Sequence, residues 1–195
     1  MDVKIEKHNP YWKLYYQKEK ARIGRELSNN NLSATIEHIG STAVVDLAAK
    51  PILDIMLGIP VGADLDRTIP IFRELGYIYV SKYNDIMPFR RFFIKLKSRG
   101  VLGKKQPKEI TKTDEMPSKK KFERLVHIHL VHLDTLFYQK HIAFRNHLQK
   151  NKEDRDLYQQ LKLHLAGLDW ELEADYAQAK SSFISSILTK LGFES

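Results

Sequence analysis

An apolar run between two prolines, Pro51 and Pro60, constrains the fold of this 195-residue chain more than any other stretch. It predicts a strand from Ile52 to Ile59 that is covered on both faces of a sheet, because apolar residues occupy consecutive positions. Its one charged residue is Asp54. An ionised carboxylate inside such a strand is costly unless it is paired or binds a metal. Asp54 therefore marks either a functional site or a solvated strand edge.

A glycine–serine pair precedes this run. We expect a strand over Leu32–Ile39 to end at Gly40 and Ser41, with a short helix from Ser41 to Ala49. Backbone N–H groups at such a turn can bind a phosphate. In the alternative interpretation, Gly40 supplies an unusual backbone angle and Ser41 caps the helix. A phosphate-binding turn followed by a metal-binding acid favours nucleotidyl-transfer chemistry, although a plain strand–turn–strand fits the spacing equally.

A two-metal site would need a second acid two residues after Asp54, since alternate strand residues share a face. That position is Met56. His127 and His129, on a predicted strand over Glu123–Val131, could complete the site from one face. We predict Asp54 and His129 as catalytic residues, and Asp54, His127 and His129 as ligands of Mg²⁺ or Mn²⁺. Imidazoles suit transition metals better than Mg²⁺, so one histidine could be a general base or purely structural.

Four cationic residues are candidate phosphate ligands beside the glycine–serine turn. Arg90 and Arg91 offer bidentate forks, and Lys50 and Lys180 offer point charges. Lys180 follows Tyr176 by four positions, so it could reach a phosphate or lie over that ring. The alternative for all four is a solvated or salt-bridged surface.

The order of predicted elements indicates an α+β fold, with a mixed β-sheet flanked by helices and a helical C-terminal part. We expect one domain over 1–195, with an α/β core over 1–133 and helices over 134–195. The other predicted elements are helices Pro10–Leu27, Ala63–Leu75, Thr135–Gln149, Asn151 or Asp154 to Ala166, and Asp169–Leu191, and strands Tyr77–Ser81 and Phe89–Leu96.

The net charge of +8 is concentrated in one segment. Between Lys95 and Lys121 there are ten basic and three acidic residues. We interpret 97–121 as a long excursion from the core, either functional or disordered. It could bind nucleic acid, or it could be a solvated loop.

Composition excludes several classes of site. The chain has no cysteine, which rules out disulfides, Cys-ligated zinc and thiol nucleophiles. Residues 1–10 lack the apolar core of a signal peptide, and no apolar run is long enough for a membrane span. We expect a cytoplasmic protein whose partner is a nucleotide or phosphorylated small molecule. The oligomeric state is not indicated.

Seven motifs carry a family resemblance and together cover nearly the whole chain. They are Glu37–Ala43, Leu47–Ile55, Leu75–Tyr77, Arg90–Phe93, His127–Leu130, His141–Leu148 and Tyr176–Ile184. In this order they resemble the GrpB family, which is placed in the DNA polymerase beta-like nucleotidyltransferase superfamily. The resemblance implies a nucleotidyltransferase-like sheet and transfer of a nucleotidyl group from an NTP–metal complex to an unknown acceptor.

Two alternatives to a nucleotidyltransferase stay open. One is a non-catalytic nucleotide- or nucleic-acid-binding module with a degenerate site, because Met56 replaces the second acid of the superfamily pattern. The other is a metal-dependent hydrolase or transferase built on Asp54, His127 and His129. The chain also departs from the family at Val45-Asp46, where Pro-Gly is usual, which predicts a less tight turn.

Overall fold

A mixed six-stranded sheet organises the molecule, in the order β1-β2-β6-β4-β3-β5. The computed structural model describes residues 3–100, 106–170 and 173–194. The α+β class and the mixed sheet predicted from the sequence are confirmed. The strands are β1 (Thr35–Ile39), β2 (Leu53–Ile59), β3 (Ile78–Val80), β4 (Arg90–Ser98), β5 (Glu109–Ile110) and β6 (Phe122–His132).

Helices cover both faces of this sheet. The helices are α1 (Tyr11–Asn29), α2 (Thr68–Glu74), α3 (Leu136–Lys150), α4 (Lys152–Ala166), α5 (Glu173–Gln178) and α6 (Ser181–Lys190). Helices α1 and α2 pack on one face, where the largest apolar core lies. Helix α3 packs on the other face, and α4 and α6 pack beside it. Among the helices described, none is long and apolar enough to cross a membrane.

The position of β2 explains its continuous apolar run. It pairs antiparallel with β1 and parallel with β6, so it lies inside the sheet, and both of its faces are covered. Its register with β6 places Asp54 beside His127 and Met56 beside His129. All four side chains therefore lie on one face, the face that the C-terminal helices share.

Two predicted helices are wrong in extent. The predicted helix over Ser41–Ala49 is only a 3₁₀ turn, Ser41–Ala43. The chain leaves the helical conformation at Val44, whose backbone is extended. Asp46 then adopts a left-handed conformation with φ +64°, which an α-helix does not accommodate. The predicted final helix, Asp169–Leu191, is divided into α5 and α6, and its side chains divide between two apolar clusters.

The basic excursion is partly integrated into the sheet. Strand β5 pairs parallel with β3. Glu109 accepts hydrogen bonds from Arg73 and Ser81, each at 2.5 Å, and Ile110 is buried. Two lysines near the middle of the 97–121 segment, Lys104 and Lys105, lie outside the described residues.

Candidate functional site

Asp54 is the centre of a hydrogen-bonded cluster on the sheet. His127 Nδ1 lies 3.1 Å from Asp54 Oδ1, and His129 Nε2 lies 3.9 Å from the same oxygen. Burial raises the pKa of Asp54, but hydrogen bonds from His127 and His129 outweigh this effect, so the pKa lies below the usual range. The side chain keeps 30% of its surface exposed. Asp54 is therefore an ionised carboxylate that a ligand can reach.

His129 is held neutral. Burial lowers its pKa to about 4, despite the neighbouring Asp54. Arg90 Nη1 lies 3.2 Å from His129 Nδ1. Because a guanidinium can only donate, Nδ1 accepts and the proton is on Nε2, towards Asp54. In this arrangement His129 has no lone pair to offer as a base, and its catalytic role stays a prediction.

Gly40 brings the turn after β1 against Asp54. Its φ is +68°, and a Cβ added there would lie 2.5 Å from Asp54 Oδ2. A side chain would be strained and would clash, so glycine is required. Thr42 Oγ1 fixes the turn by donating to Ile52 O at 3.3 Å and lies 3.0 Å from His38 Nε2. The predicted unusual backbone angle of this glycine is confirmed.

Lys162 is a candidate functional residue that was not predicted from the sequence. Its side chain is only 3% exposed, and Nζ lies 3.1 Å from Ser41 Oγ and also donates to Ala48 O. Burial, followed by the charge of Lys180, lowers its pKa to about 7. No carboxylate among the described residues pairs with it. The available signal was a lysine on the apolar stripe of α4, in line with Tyr158.

A cleft of about 820 Å³ opens over Asp54 and the glycine–serine turn. We call it the cationic cleft. Asp54 is the one acidic residue among the described residues that line it. Lys50 Nζ and Lys180 Nζ lie 4.3 and 4.0 Å from the ring centroid of Tyr176, which also lines the cleft. The cationic residues of its lining are Lys50, Lys82, Arg90, Arg124, Lys162 and Lys180.

Most of the predicted site residues converge on this region. Arg91 does not, because it follows Arg90 on the strand, points to the opposite face and pairs with Asp66. His129 lines an adjoining cavity rather than the cleft itself. The predicted residues that the structure brings together are Gly40, Ser41, Lys50, Asp54, Arg90, His127, His129 and Lys180.

Met56 is fully buried. It packs with Ile39 and Val131 of the sheet and with Phe137 and Ile142 of α3. The position is part of an apolar contact between the sheet and a helix. The packing of the sheet against α3 therefore favours an apolar residue at the position where a two-metal site would need its second acid. A carboxylate there would lie in an apolar contact away from the cleft.

Whether this site can bind a metal ion depends on which His, Asp and Glu side chains are available as ligands. Within the described ranges, no three His, Asp or Glu side chains are grouped to hold a metal ion. Mg²⁺ in phosphate-handling sites is bound by one or two carboxylates together with substrate phosphates. Asp54 supplies one carboxylate, so the residues fit a cation that arrives with a phosphorylated ligand. Six cationic neighbours disfavour a resident Mg²⁺ or Mn²⁺.

We predict that Asp46→Gly stabilises the protein by about 0.5–1 kcal/mol, because glycine adopts a positive φ without the steric cost that Asp46 bears. Urea unfolding measures the change. The adjacent Val45→Gly is the control, since Val45 does not have a positive φ, and its substitution should destabilise. Equal losses in both variants would contradict the prediction.

Comparison with known proteins gives a consistent result. The chain matches the GrpB protein family over residues 2–190. It is 29% identical to UPF0157 protein BH1888 of Halalkalibacterium halodurans, across 96% of this chain and 82% of that protein. It is 27% identical to the glutamate-rich protein GrpB of Alkalihalophilus pseudofirmus, across 97% and 96%. The crystal structure of conserved protein GrpB from Enterococcus faecalis superposes with a TM-score of 0.71 at 25% identity, covering 96% of both chains. The chain therefore belongs to the GrpB protein family.

Proposed function

We propose that this GrpB-family chain binds a nucleoside triphosphate in the cationic cleft and transfers its nucleotidyl group to an acceptor. The observation that carries the proposal is the charge of the cleft, where five cationic side chains and Lys162, whose pKa is lowered to about 7, surround one carboxylate. Such a concentration of positive charge in a cavity attracts polyanions. The resemblance of the sequence motifs to a family assigned to a nucleotidyltransferase superfamily supports this activity, and a cytoplasmic location belongs to the same proposal.

An unsatisfied histidine nitrogen also supports a ligand in the cleft. His127 lines the cleft, and its Nδ1 forms a hydrogen bond with Asp54 Oδ1. Its Nε2 is buried, and no group in the described part of the chain forms a hydrogen bond with it. Such atoms are rare in folded proteins and are usually accounted for by a bound water or ligand.

The residues of the chain act here by positioning and by neutralising charge. Ser41 and Lys162 would hold phosphate oxygens at the turn, with Lys180 opposite. A divalent cation bound with the nucleotide would be held by Asp54 and would neutralise charge that develops on the phosphates. His127 keeps Asp54 oriented and ionised. Arg90 would contribute charge while it fixes the tautomer of His129.

Isothermal titration calorimetry with each of the four NTPs, with and without Mg²⁺ or Mn²⁺, tests the proposal. We expect binding by the wild type and about tenfold weaker binding by Lys180→Gln, because one charge-assisted contact is lost. Lys190→Gln is the matched control: it removes the same charge from an exposed lysine that lines neither the cationic cleft nor the cavity beside it, so the affinity of this variant should be unchanged. Failure of a folded protein to bind any NTP would refute the proposal.

The second candidate is binding without turnover. The packing of Met56 favours it, because the fold excludes a second acid at the usual position. Release of pyrophosphate on incubation with NTP and metal distinguishes the two functions. Nucleic acid as the ligand predicts a steep salt dependence that weakens when Lys119, Lys120 and Lys121 are neutralised. Substitution is preferable to deletion here, because β5 belongs to the sheet.

A further inference from the structure

A second cavity, of about 440 Å³, adjoins the cationic cleft. We call it the apolar chamber. It lies between the sheet, α3 and α6, and is lined mainly by apolar side chains, together with the cationic side chains Lys140, Arg145 and Lys180. Most of its wall is aliphatic or aromatic: Val44, Phe137, Phe144, Leu148, Ile184 and Leu188.

The two cavities meet at the candidate site. Ser41, Asp54, Ala177 and Lys180 line both of them. A ligand at this junction would therefore have charged groups on one side and an apolar cavity on the other. Small-molecule sites have this composition, with mostly apolar walls and a few polar groups that fix orientation.

We propose that the apolar chamber holds an aromatic body of the ligand whose phosphate lies in the cationic cleft. This inference rests on the proposed function and assigns the aromatic base of the nucleotide to the apolar chamber. Aromatic rather than aliphatic groups are favoured because Phe137, Phe144 and Tyr158 present rings to the chamber.

The size of the chamber sets the size of that aromatic body. A dry apolar cavity of about 150 Å³ binds benzene in a protein core. The apolar chamber is larger, at about 440 Å³, so it accommodates a fused two-ring system. It is not sealed, because Ile184 and Leu188 on α6 remain partly exposed. A ring can therefore enter while its phosphate is held at Ser41 and Lys180.

Calorimetry with inorganic phosphate, phenyl phosphate and 1-naphthyl phosphate tests this inference. We expect affinity to rise about tenfold with each added ring, because each ring removes further apolar surface from water. Ile184→Trp fills the chamber and should reduce the affinity for 1-naphthyl phosphate to the affinity for inorganic phosphate. Ser185→Trp is the matched control, since this neighbour on α6 is exposed and lines neither cavity. Ser185→Trp should leave the increase in affinity with each added ring unchanged.

Inorganic triphosphate separates the two possible failures. If the folded wild type does not bind triphosphate, the proposed function fails. If triphosphate binds but the aryl phosphates bind no more tightly than inorganic phosphate, the chamber is not a ligand site and this inference is overturned. The same conclusion follows if Ile184→Trp leaves the gain unchanged. Leu188→Trp fills the chamber from the next turn of α6 and replaces Ile184→Trp should that variant not fold.

Discussion

Lys162→Met is expected to make the free protein more stable and to weaken triphosphate binding about a hundredfold. Lys162 is 3% exposed, has no carboxylate partner among the described residues, and has a pKa lowered from 10.5 to about 7. A lowered lysine pKa means that the fold disfavours the charged form. Methionine fills a similar volume without that penalty. Because Lys162 contacts Ser41, its removal also deletes charge from the turn proposed to hold phosphate.

The pH dependence of this effect has a definite sign. Between pH 7 and 10.5 the unfolded chain keeps the Lys162 proton that the folded chain has lost. The wild type therefore gains stability from this group as pH rises through that range, and bears the full penalty below pH 7. After allowance for lost hydrogen bonds, the variant should be more stable by about 3 kcal/mol at pH 7. This corresponds to a Tm increase of about 6–12 °C.

Urea unfolding of both proteins at pH 6, 7, 9 and 10 measures this difference, and calorimetry with triphosphate measures the binding. The stability gap should narrow as pH rises. Lys190→Met is the control, because Lys190 is 63% exposed, and its substitution should change neither quantity much. If Lys162→Met were less stable than the wild type, or if the stability difference between them did not change with pH, burial of the charged Lys162 would not destabilise the fold. Unchanged triphosphate affinity would separate Lys162 from the phosphate site.

Met56→Asp is expected to destabilise the fold by about 4 kcal/mol or more, although it restores the acid pattern common in nucleotidyltransferases. Met56 is fully buried against Phe137 and Ile142. An unpaired carboxylate there loses its hydration, and the shorter side chain leaves a void. We expect no rescue by Mg²⁺ or Mn²⁺, because the position faces α3 and not the cleft.

Urea unfolding with and without each metal ion provides the test. Met56→Leu is the matched control, which keeps the volume and the apolar contact and should cost less than about 1.5 kcal/mol. If Met56→Asp remained stable and gained tight Mn²⁺ binding, the position would be a vacant metal ligand after all. The single-carboxylate description of the site would then have to be abandoned.

Local patterns in the sequence were enough to predict the main elements. The apolar run after Pro51 identified β2, because a strand covered on both faces needs apolar residues at successive positions. Alternation along β6 placed His127 and His129 on one face. Gly40 was recognisable because a positive φ strongly favours glycine. Local patterns failed where a distant contact determines the conformation, as in the two-residue strand β5, which exists because β3 lies beside it.

The sequence by itself determined the α+β class, the strand that carries Asp54 and three of the cationic residues that line the cleft, Lys50, Arg90 and Lys180. Only the tertiary structure decided how these residues are used. It placed Lys162 from α4 at Ser41 from the turn after β1, a separation of 121 positions. It also directed Arg91 away from the site and buried Met56 under α3. The physical reason is that periodicity specifies the face of an element on which a residue lies. The neighbour on that face is set by how elements far apart in the chain pack together.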